Sequence, residues 1–537
     1  MDTDVIIVGA GPTGLMLANE LRTAGVRSLL LERRPHVRET PRANGLGGQI
    51  LELLYFRGML TELHEAATDP HPAPRFPFGN VHLDLSGLTD PPMTAVQIPQ
   101  PRLERLLEGR AQRLGARIRR GHELTGFTQD RDGVSADVHG PDGPYRVRAQ
   151  YLIGCDGSRS AVRDRAGIRF PGTVCPEVNR LAQVSPADGT ARHDNGDLDV
   201  PTLGRLSPGF TRNGHGVLGF GWLTSEVMLI STTEDEDTTY EDDAPMTLDE
   251  LQDSVRRVLG APLPLGKPLR LSRYQFQDRH ADRYREGRVL LAGDAAHQFP
   301  ATGVALNAGM LDAVDLAWKL AAEVHGWAPP GLLDTYHTER HAAGARTLLH
   351  TRAQMALRRG HDTAAEALRE VFRELLGDEA PLRRIGALVA EADTRYPLSE
   401  GAPHALTGTF APDLSLDTER GTTSVGALMH SARPLLLDLA DRPELREAAA
   451  GWAHRVDIRT AGTHDRPADA LLIRPDARIA WAAPVGAPSD TLLPTLRHSL
   501  STWFGHPRAD DNRPHRPATG HVRPLAHDED ARHARTR

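Results

Sequence analysis

Cysteine is nearly missing from this chain: Cys155 and Cys175 are the only two in 537 residues. Two thiols are too few for a disulfide framework or a cysteine zinc site, which agrees with a reducing compartment, and two inert thiols are a simpler expectation than a redox pair. No stretch reaches the roughly 18 uninterrupted apolar residues of a membrane span. The first strand opens within four residues of Met1, which leaves no room for a signal peptide, so the chain is expected in the cytoplasm. A formal net charge of -8 is spread over both signs, which argues against a nucleic-acid surface. Histidine is abundant, with 25 copies. Even so there is no His-Glu-x-x-His, no Gly-x-Ser-x-Gly elbow and no Walker loop, so metal-site, hydrolase and NTPase readings lack a motif. At roughly 100 to 200 residues per domain, the length implies about three units with ample core.

What is present begins at the N-terminus. Val5-Ile6-Ile7-Val8 reads as a strand buried on both faces, Gly9-Ala10-Gly11-Pro12-Thr13-Gly14 as a tight turn, and Leu15 to Ala24 as a helix stopped by Gly25. A second apolar run, Leu29-Leu30-Leu31, ends at Glu32. In such a unit the glycines allow the turn, close approach of backbone to phosphate, and tight packing of the helix, whose N-terminus faces the anion. Glu32 is placed to accept hydrogen bonds from an adenosine ribose. A glycine-rich turn alone is common without any ligand; strand, helix and acid together specify a dinucleotide pyrophosphate site.

Further along, helices are expected from Gln49 to Gly58 and from Pro101 to Leu114, with loop or short strands over residues 70 to 92. A strand pair, Glu123 to Gln129 and Val134 to His139, precedes a strand at Tyr151 to Gly154. Residues 171 to 280 change character: short alternating segments broken by Gly and Pro predict an antiparallel sheet whose inner face can cover a ligand. The acidic run from Glu234 to Asp243 reads as a solvated loop. Thr247-Leu248-Asp249-Glu250 reads as a capping box opening a helix to Leu259. Arg288 to His297 is a buried strand ending in Gly293-Asp294, and a carboxylate at the C-terminal end of a parallel strand lies where ligands bind in such sheets. The helix that follows carries Met310, Val314, Leu316, Trp318 and Ala321 on its apolar face, which makes Trp318 a core residue. Asp334, Tyr336, Glu339 and Arg340 are expected to tie helices together, and His297 to be mainly positional.

On these motifs the chain resembles the FAD-dependent aromatic hydroxylases of the p-hydroxybenzoate hydroxylase type, especially bacterial aromatic-polyketide hydroxylases and rifampicin monooxygenases, from residue 2 to about residue 505. The resemblance implies that Gly9, Gly11, Gly14 and Glu32 form the FAD pyrophosphate and ribose site, with Arg33 beside the adenosine and Arg42 near the phosphates. It places Gln100 toward the flavin, the Leu124 backbone at the adenine, Asp156 and Gly157 in a motif associated with FAD and NADPH, and Asp294 on the ribityl chain. Gly303, Leu306 and Asn307 match the flavin loop, whose backbone amides at a helix start suit negative charge on a reduced flavin. Two departures stand out. Ala305 replaces a glycine of that loop, and Gly45-Leu46-Gly47-Gly48-Gln49 lacks the His or Arg that relatives often carry.

The implied fold is α/β: a Rossmann-like FAD-binding domain (residues 1–170 and 281–400), an inserted antiparallel β-sheet substrate domain (171–280), and a C-terminal thioredoxin-like domain (405–506) without cysteines, ahead of a disordered tail (507–537). The implied chemistry uses FAD and NADPH. Hydride reduces the flavin, O2 adds to give a C4a-hydroperoxide, and one oxygen passes to a small aromatic substrate. Hydroxylation of a polyketide-like polycycle is the main expectation; Baeyer-Villiger insertion, epoxidation, antibiotic inactivation and a flavin-binding protein without oxygenase activity stay open. No metal, nucleic acid or membrane partner is expected, the chain being a monomer or homodimer. No side chain is singled out as the catalytic base.

Overall fold

The computed structural model describes residues 1–39, 43–68, 75–79, 81–200, 203–236, 245–301, 303–359, 362–398 and 404–508. The expected disordered tail therefore lies almost wholly outside the described residues.

Strand β1 (Val5–Val8) leads through the glycine turn into helix α1 (Pro12–Thr23) and β2 (Ser28–Glu32); α2 (Gln100–Arg113), β3 (Arg117–Arg120) and β4 (Tyr151–Gly154) follow. The chain then leaves this layer for β5 (Gly172–Pro186), β6 (Gly209–Asn213), β7 (Gly216–Trp222), β8 (Met228–Asp235), α3 (Leu248–Leu259) and β9 (Leu265–His280). It returns with β10 (Val289–Leu291), β11 (His297–Gln298), α4 (Ala305–Val324) and α5 (Thr335–Arg359). Five parallel strands order as β10-β4-β1-β2-β3, with Arg285–Glu286 antiparallel at the β10 edge. The chain thus runs outward from β1 in both directions, and the crevice at its C-terminal end is the topological switch point where ligands bind. Val5, Ile6 and Ile7 are fully buried, as a central parallel strand covered on both faces requires.

The second sheet, β6-β7-β8-β5-β9-β11, is antiparallel throughout. One face, carrying Ala182, Val184, Leu218, Met228 and Ile230, packs on Leu251, Val255 and Val258 of α3. The Thr247 hydroxyl accepts the Glu250 N–H at 3.1 Å, the N-cap half of the expected capping box, while the Glu250 carboxylate pairs with Arg180 and Arg273. The acidic run corrects the solvated-loop reading in part. Glu234 and Asp235 end β8, and Glu234 is buried because Arg180 and Arg257 neutralise it; residues 237–243 lie outside the described residues.

The C-terminal unit holds β12 (Leu435–Asp438), α6 (Pro443–Ala449), β13 (Asp457–Thr460), β14 (Ala470–Ile473), β15 (Ile479–Ala483) and α7 (Ser489–Phe504). Its sheet runs β13-β12-β14-β15, with only β12 and β13 parallel. Trp318 of α4 is buried against Trp503 and Phe504 of this unit, a core position as its spacing predicts. Asp334, Tyr336, Glu339 and Arg340 all bond across elements: to Arg285, the Leu291 carbonyl, Lys319 and Asp312 respectively. Both thiols are buried and unpaired; burial raises Cys155 well above the usual thiol range and Cys175 to about 11, so neither is a ready nucleophile. No helix among the described residues is long and apolar enough to cross a membrane.

Candidate functional site

The turn after β1 is built by contact between backbones. Gly9 has φ +105° and a Cβ there would stand 2.3 Å from the Cys155 carbonyl oxygen; one on Gly14 would stand 2.0 Å from the Gly9 oxygen. Gly11, between them, faces no atom within 4 Å, and no side chain caps α1. An uncapped helix start with open space before it has the free N–H groups and the room to take an anion. Glu32 turns inward: its Oε2 accepts from the Ala10 N–H and its Oε1 from the Arg34 N–H, both at 2.9 Å. The acid thereby fixes the turn, while Arg33 beside it is exposed.

Two other segments close on the same point. Gly293 opens the short helical turn Gly293–Ala295 after β10 with φ +64°, and a Cβ there would meet Thr13 Oγ1 at 2.7 Å. A Cβ on Gly309 of α4 would meet that oxygen at 2.6 Å and Gly293 Cα at 3.0 Å. The start of α1, the Gly-Asp turn and the first turns of α4 therefore touch around Thr13, leaving Asp294 exposed at the strand end. Behind them Asp312 Oδ2 accepts from the Gly293 N–H (2.9 Å) and lies 2.7 Å from His297 Nε2, while Oδ1 accepts from Arg340 Nε at 2.7 Å. Burial opposes ionisation of Asp312, but His297 and Arg340 outweigh it and hold its pKa below the usual carboxylate value. His297 is fully buried behind the turn, with Nε2 held on Asp312.

The flavin-loop residues sit at the start of α4. Gly303 carries the positive φ of +84° and Ala305 is already helical, so alanine there is at ease. The Asn307 amide donates to the Gly303 carbonyl at 2.9 Å and accepts from Gly47 N–H at 3.4 Å. Leu306 is half-buried on the core, and α4 has no side-chain cap. The glycines of the Gly45–Gln49 departure answer to packing: a Cβ on Gly48 (φ +73°) would stand 2.6 Å from Ala390 Cα.

Among the described residues, the remaining expected ones do not join this constellation through hydrogen bonds. Gln100 begins α2 and donates to Glu104 at 2.7 Å. Leu124 is buried in a hairpin opposite Val138. Asp156 accepts from the Ser160 hydroxyl at 2.5 Å and the Val162 N–H at 3.1 Å, whereas Gly157 (φ +85°) faces open space. Arg42 lies outside the described residues. Sequence reading missed Thr13 and Asp312; the available signal for Asp312 was an acid on the apolar side of the α4 pattern. The open space at Gly11 and Gly157 and the two uncapped helix starts fit a long cofactor with a pyrophosphate and an anionic ring.

Residues 2–351 match the family described as an FAD binding domain, and residues 404–507 the family described as the C-terminal region of aromatic-ring hydroxylases. The chain is similar to the 12-dehydrotetracycline 5-monooxygenase/anhydrotetracycline 6-monooxygenase of Streptomyces rimosus, 40% identical over 516 residues, covering 94% of this chain and 100% of the relative. It is also similar to the dialkyldecalin synthase of Streptomyces rugosporus, 38% identical over 511 residues, covering 94% and 99%. Among solved structures, CabE, an aromatic hydroxylase from angucycline biosynthesis, matches with a TM-score of 0.84 at 36% identity, covering 95% of this chain and 100% of that one.

Proposed function

The chain belongs to the FAD-dependent aromatic hydroxylases, a family of monooxygenases, and from that membership we propose that it uses NADPH and O2 to insert one oxygen atom into a polycyclic, polyketide-like aromatic substrate. The meeting of α1, the Gly-Asp turn and α4 at Thr13 carries this reading, because one elongated cofactor can span all three. FAD, when bound, supplies hydride acceptance from NADPH and activation of O2. The chain's own share is binding and placement. Gly9, Gly11 and Gly14 would seat the pyrophosphate, with Arg42 near the phosphates; Glu32, Arg33 and the Leu124 backbone would hold the adenosine side, and Asp294 the ribityl chain. Gln100, Asp156 and Gly157 complete the cradle. Backbone amides around Gly303, Leu306 and Asn307 stabilise negative charge at the start of α4. The sheet face turned away from α3 positions the substrate and keeps out water.

The same reading assigns residues 1–170 and 281–400 to a Rossmann-like FAD domain, 171–280 to the substrate sheet and 405–506 to a thioredoxin-like domain. The parallel β12–β13 pair joined through a helix, followed by an antiparallel hairpin and a helix, supports the last assignment; without cysteine it serves assembly rather than dithiol chemistry. Two unpaired thiols agree with a cytoplasmic location.

The name of the dialkyldecalin synthase relative, which is not that of an oxygenase, favours a second reading, a flavin-binding protein without oxygenase activity. One assay separates them. The holoenzyme with anhydrotetracycline and NADPH under 18O2 should oxidise NADPH faster than without the tetracycline and give a product carrying one 18O; neither response would leave the second reading in place.

A further inference from the structure

The two faces of the substrate sheet treat arginine differently. Between the sheet and α3, Arg180, Arg257 and Arg273 are all neutralised by Glu234, Glu236 and Glu250. The register puts a second set of residues on the opposite face: Asn179 beside Tyr274 and Thr233, Leu181 beside Ser272 and Ser231, Gln183 beside Arg270 and Leu229. Farther along the same face of β9, Phe276 lies under Arg358 (5.1 Å), Asp278 pairs with Arg352 (2.6 Å) and His280 stacks on His341 (3.9 Å), all from α5. Leu348 of α5 in turn packs on Phe299, Val304 and Ala308 around the flavin loop. This face is therefore turned to the cofactor side.

Arg270 stands on it half-buried, with Nε enclosed and no hydrogen-bond or ion-pair partner among the described residues. Burial works against its charge. Asn179, 7% exposed, receives the Thr233 hydroxyl on its Oδ1 at 2.9 Å while its Nδ2 is enclosed without a partner. Buried polar atoms are nearly always bonded, so two unpartnered donors on one face mark places for ligand oxygens. Four residues of strand separate them, about 13 Å at the usual rise, the scale of a multi-ring molecule.

We propose that Arg270 is a specificity-determining residue that takes an ionised phenolic or enolic oxygen of the substrate, with Asn179 holding a second oxygen farther along the sheet. The substrate class is then an acidic, multi-ring phenol or enol bound as its anion. A guanidinium favours the anion, and the anion is the more electron-rich form for oxygen insertion. The assignment rests on the monooxygenase reading for that last step only.

The test needs neither NADPH nor turnover, so it stands or falls separately from that reading. Alizarin, a tricyclic hydroxyanthraquinone whose absorption moves to longer wavelength on ionisation, is titrated with pH on the FAD-loaded enzyme. Bound to the parent chain, its ionisation midpoint should fall about one pH unit below that of free dye. Arg270→Gln should restore the free midpoint and weaken binding of the anion about tenfold. Arg270→Lys should keep most of the shift, and Asn179→Ala should weaken binding without moving the midpoint. Unchanged FAD absorbance and circular dichroism show that the variants are folded. A parent chain that leaves the dye unbound or its midpoint unmoved, or an Arg270→Gln chain that behaves like the parent, overturns the assignment; the parent titration alone decides if the variant fails to fold.

Discussion

A Gly11→Val chain should fold with a thermal midpoint within about 3 °C of the parent's and yet lose FAD affinity by about 100-fold, equivalent to about 2.7 kcal/mol. The protein has room at that position: no atom lies within 4 Å of where a Cβ would sit. Valine at a helix start costs only the preference of that position for glycine over branched residues. The same open space is where a pyrophosphate must approach the backbone, so the added methyl groups exclude ligand rather than protein. Gly14→Ala makes the control. Its Cβ would stand 2.0 Å from the Gly9 oxygen, which forces α1 off the turn, so both stability and FAD should be lost. Equilibrium binding of FAD by fluorescence quenching, alongside thermal unfolding of the apo-proteins, reads both quantities. Parallel losses in the two variants would remove the reason for placing the cofactor at Gly11.

Arg474→Met should destabilise the chain by about 3–5 kcal/mol in urea unfolding, as breaking a buried ion pair from one side does. Arg474 follows β14, fully buried, and donates to Glu339 at 2.7 and 2.8 Å, to Asp315 at 3.2 Å and to Asp476. Lys319 donates to Asp315 and Glu339, both at 2.8 Å. Burial, aided by the neighbouring Glu339 and Asp476, raises Asp315 well above the usual carboxylate value, although Lys319 and Arg474 pull the other way. Three carboxylates, Asp315, Glu339 and Asp476, thus face the two cations Lys319 and Arg474. Removing the guanidinium strands a negative charge at the joint between the C-terminal unit and helices α4 and α5. Arg474→Lys should recover little, since one ammonium cannot reach three carboxylates in the geometry of a planar fork. A loss under about 1 kcal/mol would mean that this joint is held by Trp318, Trp503 and Phe504 alone.

Where sequence order and spatial order coincide, the sequence was readable. Val5 to Glu32 could be placed residue by residue because strand, turn, helix and acid are consecutive and each has its own pattern. Gly293-Asp294 was readable as a strand end, and the Thr247 cap from four adjacent residues. Signals were lost where a residue's meaning depends on distant partners. The strand Arg117–Arg120 has one apolar residue, Ile118, because as an edge strand it has little to bury, so periodicity could not find it. Glu234 looked solvated because the arginines that neutralise it come from β5 and α3. The Gly45–Gln49 segment reads as lacking a charge, whereas its Gly48 answers to Ala390, far along the chain, whose backbone leaves no room for a Cβ. Arg270 carries no local signal at all; only the strand register, which sets which face it occupies, makes its lack of a partner meaningful.

Whether the strand ends around Thr13 hold one flavin is best decided on the purified parent chain itself. Acid-denatured and separated by chromatography, it should release one FAD per polypeptide, or take up one equivalent on reconstitution, with the yellow absorbance of an enclosed isoalloxazine. A colourless chain that releases no flavin and acquires none from excess FAD would show that the meeting of α1, the Gly-Asp turn and α4 is packing alone.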